Sequence, residues 1–182
     1  MARGRLLVGT GYLGATHAVC LASWGHTVVG VDVDPERVAG LAAGEPPFRE
    51  PGIRRLLREG LASGRLSFCG ELAAVADAEV HFLCVGTPQA RDGNAADLRA
   101  LHEAVDTLAP RLRRPSVVVG RSTVPVGTAA RLGGLLRRSA PAGESLGLAW
   151  NPEFLREGHA IADSLHPDRA AGWRMLALGR SS

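Results

Sequence analysis

The sequence predicts an α/β fold built on a doubly wound parallel sheet. Three observations carry that expectation. Short apolar runs of strand length alternate with amphipathic stretches of helical period along the chain. Gly9, Gly11 and Gly14 fit the pattern G-x-G-x-x-G between the first apolar run and the first helix. A second apolar run ends in an acid, Asp32, which lies 18 residues past Gly14. Strand, glycine turn, helix, strand and acid make the unit that binds a dinucleotide in Rossmann-like folds.

The first strand is Leu6-Leu7-Val8. Gly9 makes the tight turn, Gly11 lets the backbone approach a pyrophosphate, and Gly14 lets the helix pack on the strand. Ala15 to Trp24 reads as that helix, with Gly25 as its stop. Its N-terminus offers unsatisfied N–H groups and a partial positive charge to phosphates. Val28 to Asp32 is the second strand. The Asp32 carboxylate is placed to accept from both ribose hydroxyls, and it would repel a 2′-phosphate. NAD is therefore expected over NADP. Arg37 leaves three readings open: a partner for the NADP phosphate, a side chain lying along the adenosine, or a solvated helix residue. Taken alone, three glycines in six residues mark only a turn. The flanking strand, helix and acid turn that pattern into a nucleotide site.

Pro35 to Ala42 reads as a short helix with Asp34 as N-cap and Pro35 at its first position. A Pro/Gly loop follows from Gly44 to Gly52. Ile53 to Leu61 is helical, with Ile53, Leu56, Leu57 and Leu61 on one face. Leu66 to Phe68 is a brief strand, Glu71 to Ala76 a short helix, and Glu79 to Val85 a strong strand ended by Gly86-Thr87-Pro88. Asp92-Gly93-Asn94 is a turn. Asp97 to Leu112 is the longest helix, burying Leu98, Leu101, Val105, Leu108 and Leu112. Ser116 to Gly120 is a strand, Gly127 to Arg138 a helix, and Ser145 to Trp150 one more strand.

Ligands bind at the carboxyl ends of strands in such sheets. Three polar clusters fall there: Gly86-Thr87-Pro88-Gln89, Ser122-Thr123-Val124 and Asn151 to Glu157. Singly, each is ordinary turn chemistry. Together, on the edge that carries the glycine turn, they form the nicotinamide side of a dinucleotide site. Glu153 follows a strand end between Pro152 and Phe154, so partial desolvation would raise its pKa toward that of a proton-transfer group. The bland alternative is a helix N-terminal glutamate that favours the dipole.

Composition narrows the class. A length of 182 residues suits one domain, or one domain and part of another. The chain is 46% hydrophobic but only 4% aromatic, so the core is Leu, Val and Ala. Net charge is +3 and every basic residue is Arg. The arginines are spread over helix faces without interleaved aromatics, which speaks against a nucleic-acid surface. Cys20, Cys69 and Cys84 form no C-x-x-C pair and read as buried reduced thiols of a cytoplasmic protein. The six histidines have no metal-ligand spacing, so no metal is expected. No signal peptide and no stretch long enough to span a membrane is visible.

Six stretches, in order, resemble one family. They are Gly9 to Gly14, Val31-Asp32-Val33-Asp34, Glu50-Pro51-Gly52, Val85 to Pro88, Ser122-Thr123-Val124-Pro125-Val126-Gly127-Thr128, and Asn151-Pro152-Glu153-Phe154-Leu155-Arg156-Glu157-Gly158. From about Arg5 to Arg169 the chain is similar to the N-terminal NAD-binding domain of the UDP-glucose/GDP-mannose dehydrogenases. Arg156-Glu157-Gly158 and His166-Pro167-Asp168-Arg169 follow the UDP-glucose 6-dehydrogenase branch better than the GDP-mannose branch. The resemblance implies oxidation of a nucleotide-sugar C6 hydroxyl to a carboxylate, UDP-glucose to UDP-glucuronate, with reduction of two NAD. It implies that Gly9, Thr10, Gly11, Tyr12, Leu13 and Gly14 hold the pyrophosphate and that Asp32 and Arg37 hold the adenosine ribose. Val85, Gly86, Thr87, Pro88 and Gln89, with Ser122, Thr123 and Val124, would line the cofactor. Glu153 matches the catalytic acid/base and Thr123 the threonine that positions a catalytic water. Glu153, Phe154, Leu155, Arg156 and Glu157 would touch the sugar nucleotide, with Glu157 also approaching the cofactor.

The chain also departs from the family. The family's thiol nucleophile lies in a later Gly-Gly-Ser-Cys-Phe stretch with no counterpart in these 182 residues. The catalytic lysine has none either. The central dimer-forming helix and the C-terminal sugar-nucleotide domain are likewise without counterpart. Residues 1–169 are expected to be the NAD-binding domain and residues 170–182 a divergent tail, a pattern that an early stop or frame change produces. Arg121 stands where the family has Lys, Arg5 where it is apolar, and Trp150 where it has a small residue. The expectation is NAD binding without full turnover, because the four-electron oxidation needs a covalent thiohemiacetal and no thiol is placed to form it. The alternatives are a GDP-mannose 6-dehydrogenase relative, a non-catalytic NAD-binding module that pairs with or regulates a full-length dehydrogenase, and an unfolded remnant.

Overall fold

The computed structural model describes residues 4–71, 77–90, 93–152 and 155–166, and the backbone of 174–176. Glu153 and Phe154 of the expected sugar site, Leu72 to Ala76 of the expected short helix, and Asp92 lie outside the described residues.

The strands are β1 (Arg5–Val8), β2 (Val28–Val31), β3 (Leu66–Cys69), β4 (Val80–Leu83), β5 (Ser116–Gly120), β6 (Leu146–Trp150) and β7 (Arg174–Leu176). The helices are α1 (Tyr12–Ser23), α2 (Pro35–Ala42), α3 (Ile53–Ala62), α4 (Arg99–Leu108), α5 (Thr128–Ser139) and α6 (Ala160–Leu165). The sheet order is β3-β2-β1-β4-β5-β6-β7. The first six strands are parallel, and β7 pairs antiparallel to β6 through Leu148–Leu176 and Trp150–Arg174. This is the doubly wound Rossmann-like order, closed on one edge by an antiparallel strand.

Alternation along β1 sorts the core into two layers. Leu7 points to one face with α1, α3 and Ile161 of α6, while Leu6 and Val8 point to the other with α4 and α5. Of the stripe that the spacing predicts, Leu101, Val105, Leu108 and Leu112 are fully buried, while Leu98, just before α4, is only half-buried. Asp34 caps α2 by accepting from the amides of Glu36 and Arg37 at 3.0 and 3.3 Å.

Beyond shifts of one or two residues at element ends, the elements differ from the sequence reading in four places. α1 begins at Tyr12 rather than Ala15, so the turn proper is only Gly9-Thr10-Gly11. α4 starts at Arg99 rather than Asp97, stops at Leu108 and continues as one tight turn over Ala109–Arg111, because Pro110 has no N–H to give the ladder; at 10 residues it is not the longest helix, since α1 and α5 have 12 each. α6 was not anticipated. It has six residues, too few for a periodic signal. The reading likewise placed no strand after Arg169, where β7 completes the sheet edge.

One buried histidine and one half-buried histidine give the fold an acid sensitivity. His81 on β4 is fully buried, and burial pushes its pKa down to about 4 despite a carbonyl of Ala78. Burial and the nearby Arg121 charge push His17 down to about 3. Both stay neutral in the fold, whereas in the unfolded chain they protonate near 6.5. The unfolded state therefore binds more protons below that pH, and stability falls as pH drops from about 6.5 toward 4. For His81 the full loss is about 3 kcal/mol. Urea unfolding of His81→Leu between pH 7 and 4.5 should give a flatter midpoint curve than the parent chain. An unchanged slope would show that His81 does not carry the effect.

Candidate cofactor site

The site lies where β1 ends between β2 and β4, the point at which the chain switches direction across the sheet. Gly9 donates to Val31 O at 2.8 Å and holds φ at +87°. A Cβ there would sit 3.0 Å from the backbone of Cys84 and Val85, so both conformation and space demand glycine. A Cβ on Gly14 would lie 1.9 Å from Gly9 O. A Cβ on Gly11 would meet nothing within 4 Å, because that position faces open space. The N-terminus of α1 has no side-chain cap and no acid in its first turn. Its leading amides are thus left for an anion.

Two clefts meet at this turn. One, of about 570 Å³, is bounded by the glycine turn, Asp32, Val33, Arg37, Gly70 and the α4 residues Ala100, Glu103, Ala104 and Thr107. The other, of about 420 Å³, is bounded by Gly11 to Leu13, Cys84 to Thr87 and Arg121 to Thr123. Gly11, Cys84, Val85 and Gly86 belong to both.

In the first cleft Asp32 is almost wholly buried, and both its oxygens are engaged. Oδ2 accepts from the Thr10 amide at 2.6 Å and from the Thr10 hydroxyl at 3.0 Å. Oδ1 accepts from the Asp34 amide at 3.1 Å, and Arg37 Nη1 reaches both oxygens at 3.0 Å. Burial alone would raise this carboxyl, but the bonds from Thr10, Asp34 and Arg37 outweigh it and hold the group below the usual range. Arg37 is accordingly neither simply solvated nor free for a phosphate: it is the half-exposed partner of Asp32.

The second cleft is walled by side chains that staple neighbouring strand ends. Ser122 Oγ donates to Val85 O at 2.5 Å, and Thr87 Oγ1 donates to Thr123 O at 2.7 Å. Trp150 Nε1 donates to Ser122 O at 3.0 Å. The Trp150 ring lies across Gly120, where a Cβ would come within 2.3 Å of it. The tryptophan that stood out in the sequence is thus accommodated by a glycine directly opposite on β5. Arg121 is buried beside Cys84 and His17, and burial lowers its pKa without neutralising it.

Most of the expected site residues converge here, but not all. Pro88 and Gln89 turn toward the next loop: Pro88 O accepts from the Asp97 amide at 2.7 Å, and Gln89 Nε2 donates to Gly93 O and Asn94 Oδ1 at 3.0 Å. Val124 packs against the core behind the second cleft. Leu155 is half-buried, while Arg156 and Glu157 are exposed. Arg156 is turned to Asp163 of α6 in a two-pronged ion pair at 2.9 and 2.6 Å. Cys20 and Cys84 are buried free thiols, and burial pushes them up to about 11 and about 12. Cys69, expected to be buried, is partly exposed. Sequence reasoning missed Cys84 and Arg121 as lining residues, although each immediately precedes an identified strand-end cluster. It also missed the cleft-facing row of α4 at 100, 103, 104 and 107, a spacing of i, i+3, i+4 and i+7 that was open to reading.

A turn of this kind at a sheet's switch point, flanked by a buried carboxylate, marks a cofactor-binding domain of the dehydrogenase class. Comparison with known proteins sharpens that to a family. Residues 6–175 match the model of the UDP-glucose/GDP-mannose dehydrogenase family, NAD binding domain, and the chain belongs to that family. A UDP-glucose 6-dehydrogenase from Rhizobium meliloti is 43% identical over 164 residues, covering 90% of this chain and 37% of that protein. A solved UDP-glucose dehydrogenase from Pyrobaculum islandicum superposes with a TM-score of 0.85 at 41% identity, over 92% of this chain and 40% of that one. A GDP-mannose dehydrogenase from Pseudomonas aeruginosa, solved as a ternary complex, gives 0.84 at 36% identity over 92% and 39%. The chain thus spans somewhat over a third of the length of these relatives. It is an NAD-binding domain. Among the described residues, no helix is long and apolar enough to cross a membrane.

The Gly14 contact sets a direct test. Gly14→Ala places a methyl against the Gly9 carbonyl and should destabilise the domain by about 1–3 kcal/mol in urea unfolding. A parent-like midpoint would mean that the helix can slide off the turn without cost.

Proposed function

We propose that this chain is the NAD-binding domain of a UDP-glucose 6-dehydrogenase, which oxidises the C6 hydroxyl of UDP-glucose to the carboxylate of UDP-glucuronate. That domain runs past the boundary expected at residue 169, since β7 at Arg174–Leu176 belongs to its sheet. The observation that carries the reading is the pair of clefts meeting at an uncapped glycine turn. NAD, when bound, accepts hydride from the sugar carbon, and the chain's own groups bind and orient it. The turn from Gly9 to Gly14 takes the pyrophosphate, because Gly11 leaves open space beside free helix amides. The first cleft takes the adenosine. A carboxylate has about four lone-pair sites, and Thr10, Asp34 and Arg37 already engage Asp32. A ribose hydroxyl therefore shares Asp32 with Arg37, its half-exposed partner on the cleft wall, and Arg37 lies along the adenosine. The second cleft takes the nicotinamide, between Val85 to Thr87 and Ser122 with Thr123.

Thr123 orients the water of the second oxidation, and Glu153 takes and returns the proton, as in the family that the chain resembles. Leu155, Arg156 and Glu157, together with Phe154, form part of the sugar-nucleotide site. UDP-glucose is favoured over GDP-mannose by Arg156-Glu157-Gly158 and His166-Pro167-Asp168-Arg169. A second reading, a non-catalytic NAD-binding module, draws support from the thiols. Cys20 and Cys84 stay protonated near neutral pH, so neither is a ready nucleophile. Both readings agree that the chain alone does not complete the oxidation.

Calorimetric titration tests the shared core of these readings. NAD⁺ should bind saturably, and NADP⁺ should bind at least about tenfold more weakly because Asp32 repels its 2′-phosphate. Asp32→Asn should weaken NAD⁺ by about tenfold and narrow the gap to NADP⁺. UDP-glucose with NAD⁺ should yield no NADH from the pure chain. Absence of saturable NAD⁺ binding by a folded chain would sink the cofactor assignment, and steady NADH production would sink the claim of incompetence.

A further inference from the structure

Glu50 is a buried carboxylate for which the cofactor reading has no use. It lies in the loop before α3, at Glu50-Pro51-Gly52, and its side chain joins segments far apart in sequence. Oε2 accepts from Tyr12 Oη at 2.6 Å and from the Gly158 amide at 2.8 Å. Oε1 faces the Ile161 amide at 3.4 Å. Tyr12 is the first residue of α1, and its ring packs at a tilt on Phe48 of the Glu50 loop, with centroids 4.9 Å apart. Ile161 is buried in α6 against the same core layer as α1. Burial would raise the Glu50 carboxyl, but the bonds from Tyr12, Gly158, Ile161 and Ala160 outweigh it and keep the group ionised. Burial first, and then Glu50, push the Tyr12 phenol well above its ordinary value, so it remains a donor.

We propose that Glu50 is a positioning residue, whose carboxylate clasps the segment 155–158 to the first turn of α1 and so holds the sugar-side segment and the pyrophosphate turn in fixed relation. The proposal rests on the reading that this turn holds NAD. Its physical content is linkage. Releasing Gly158 and Ile161 from Glu50 loosens the carboxylate that accepts from the Tyr12 hydroxyl. A ligand seated on the leading amides of α1 stabilises the clasped state and makes that release rarer. A short charge-assisted bond from a phenol suits this task, because it is strong, directional and lost completely when the hydroxyl is removed.

Amide hydrogen exchange by NMR on the full chain, with and without saturating NAD⁺, reads the coupling at Gly158 and Ile161. NAD⁺ should slow exchange of these two amides at least about threefold in the parent chain. In Glu50→Gln and in Tyr12→Phe, each saturated as judged by its own titration, the slowing should shrink to less than about twofold. The NAD⁺ Kd of Glu50→Gln should stay within about threefold of the parent, since Glu50 does not line the cofactor clefts. Should Glu50→Gln fail to fold, Tyr12→Phe, which loses a single oxygen, carries the test alone. Slowing that persists in the foldable variants means that NAD⁺ shields these amides directly, and the clasp is then no relay. Saturable NAD⁺ binding with no slowing in the parent overturns this proposal and leaves the cofactor reading intact. Absence of NAD⁺ binding removes both.

Discussion

The cofactor edge depends on one buried carboxylate. Asp32 ends the second strand, and its side chain turns back to take the amide and hydroxyl of Thr10. Thr10 sits between Gly9 and Gly11, so these bonds hold the glycine turn to β2 from the side. Gly9 adds a backbone bond to Val31, and Cys84 adds one to Val8. The glycine turn is thereby braced on both flanks without covering its open face. The carboxylate proposed to meet the ribose also acts as a structural pin. That double duty explains why it is almost fully buried, yet keeps a cationic partner at the rim.

The opposite side of the site is built differently. Strands β4, β5 and β6 end in sequence without a shared turn. Three side chains replace it by donating to carbonyls on neighbouring strands: Ser122 to Val85, Thr87 to Thr123, and Trp150 to Ser122. Each bond is worth only about 0.5–1.5 kcal/mol. Collectively they fix the spacing of the strand ends, and spacing is what a flat ring between them requires. Trp150 adds bulk behind the wall at the expense of any side chain at position 120.

Local pattern made much of this legible. The β1-turn-α1-β2 unit, the Asp34 cap and the buried stripe of α4 rest on contacts within a few residues or on a period, and these are visible in one dimension. The same is true of the strand-end clusters, since a strand that stops must turn. What stayed hidden depends on side-chain pairings that no period or cap announces, some of them between segments far apart. Glu50 was visible as part of a motif but had no assigned task, because its partners lie 38 and 108 residues away. Arg37 kept three readings until the structure paired it with Asp32. Arg156 gave no sign of its bidentate partner Asp163, which sits in a helix too short to announce itself. Pro88 and Gln89 belong to an identified cluster, but the following turn draws them away from the cleft.

The unequal burial of the three thiols has a practical side. Cys20 and Cys84 are shut in the core and resist deprotonation, so alkylating reagents and mild oxidants have little to attack there. Cys69 is partly exposed at the carboxyl end of β3, next to Gly70 on the wall of the larger cleft. A thiol-directed dye or spin probe would therefore attach at one place without any engineering, on the rim of the larger cleft.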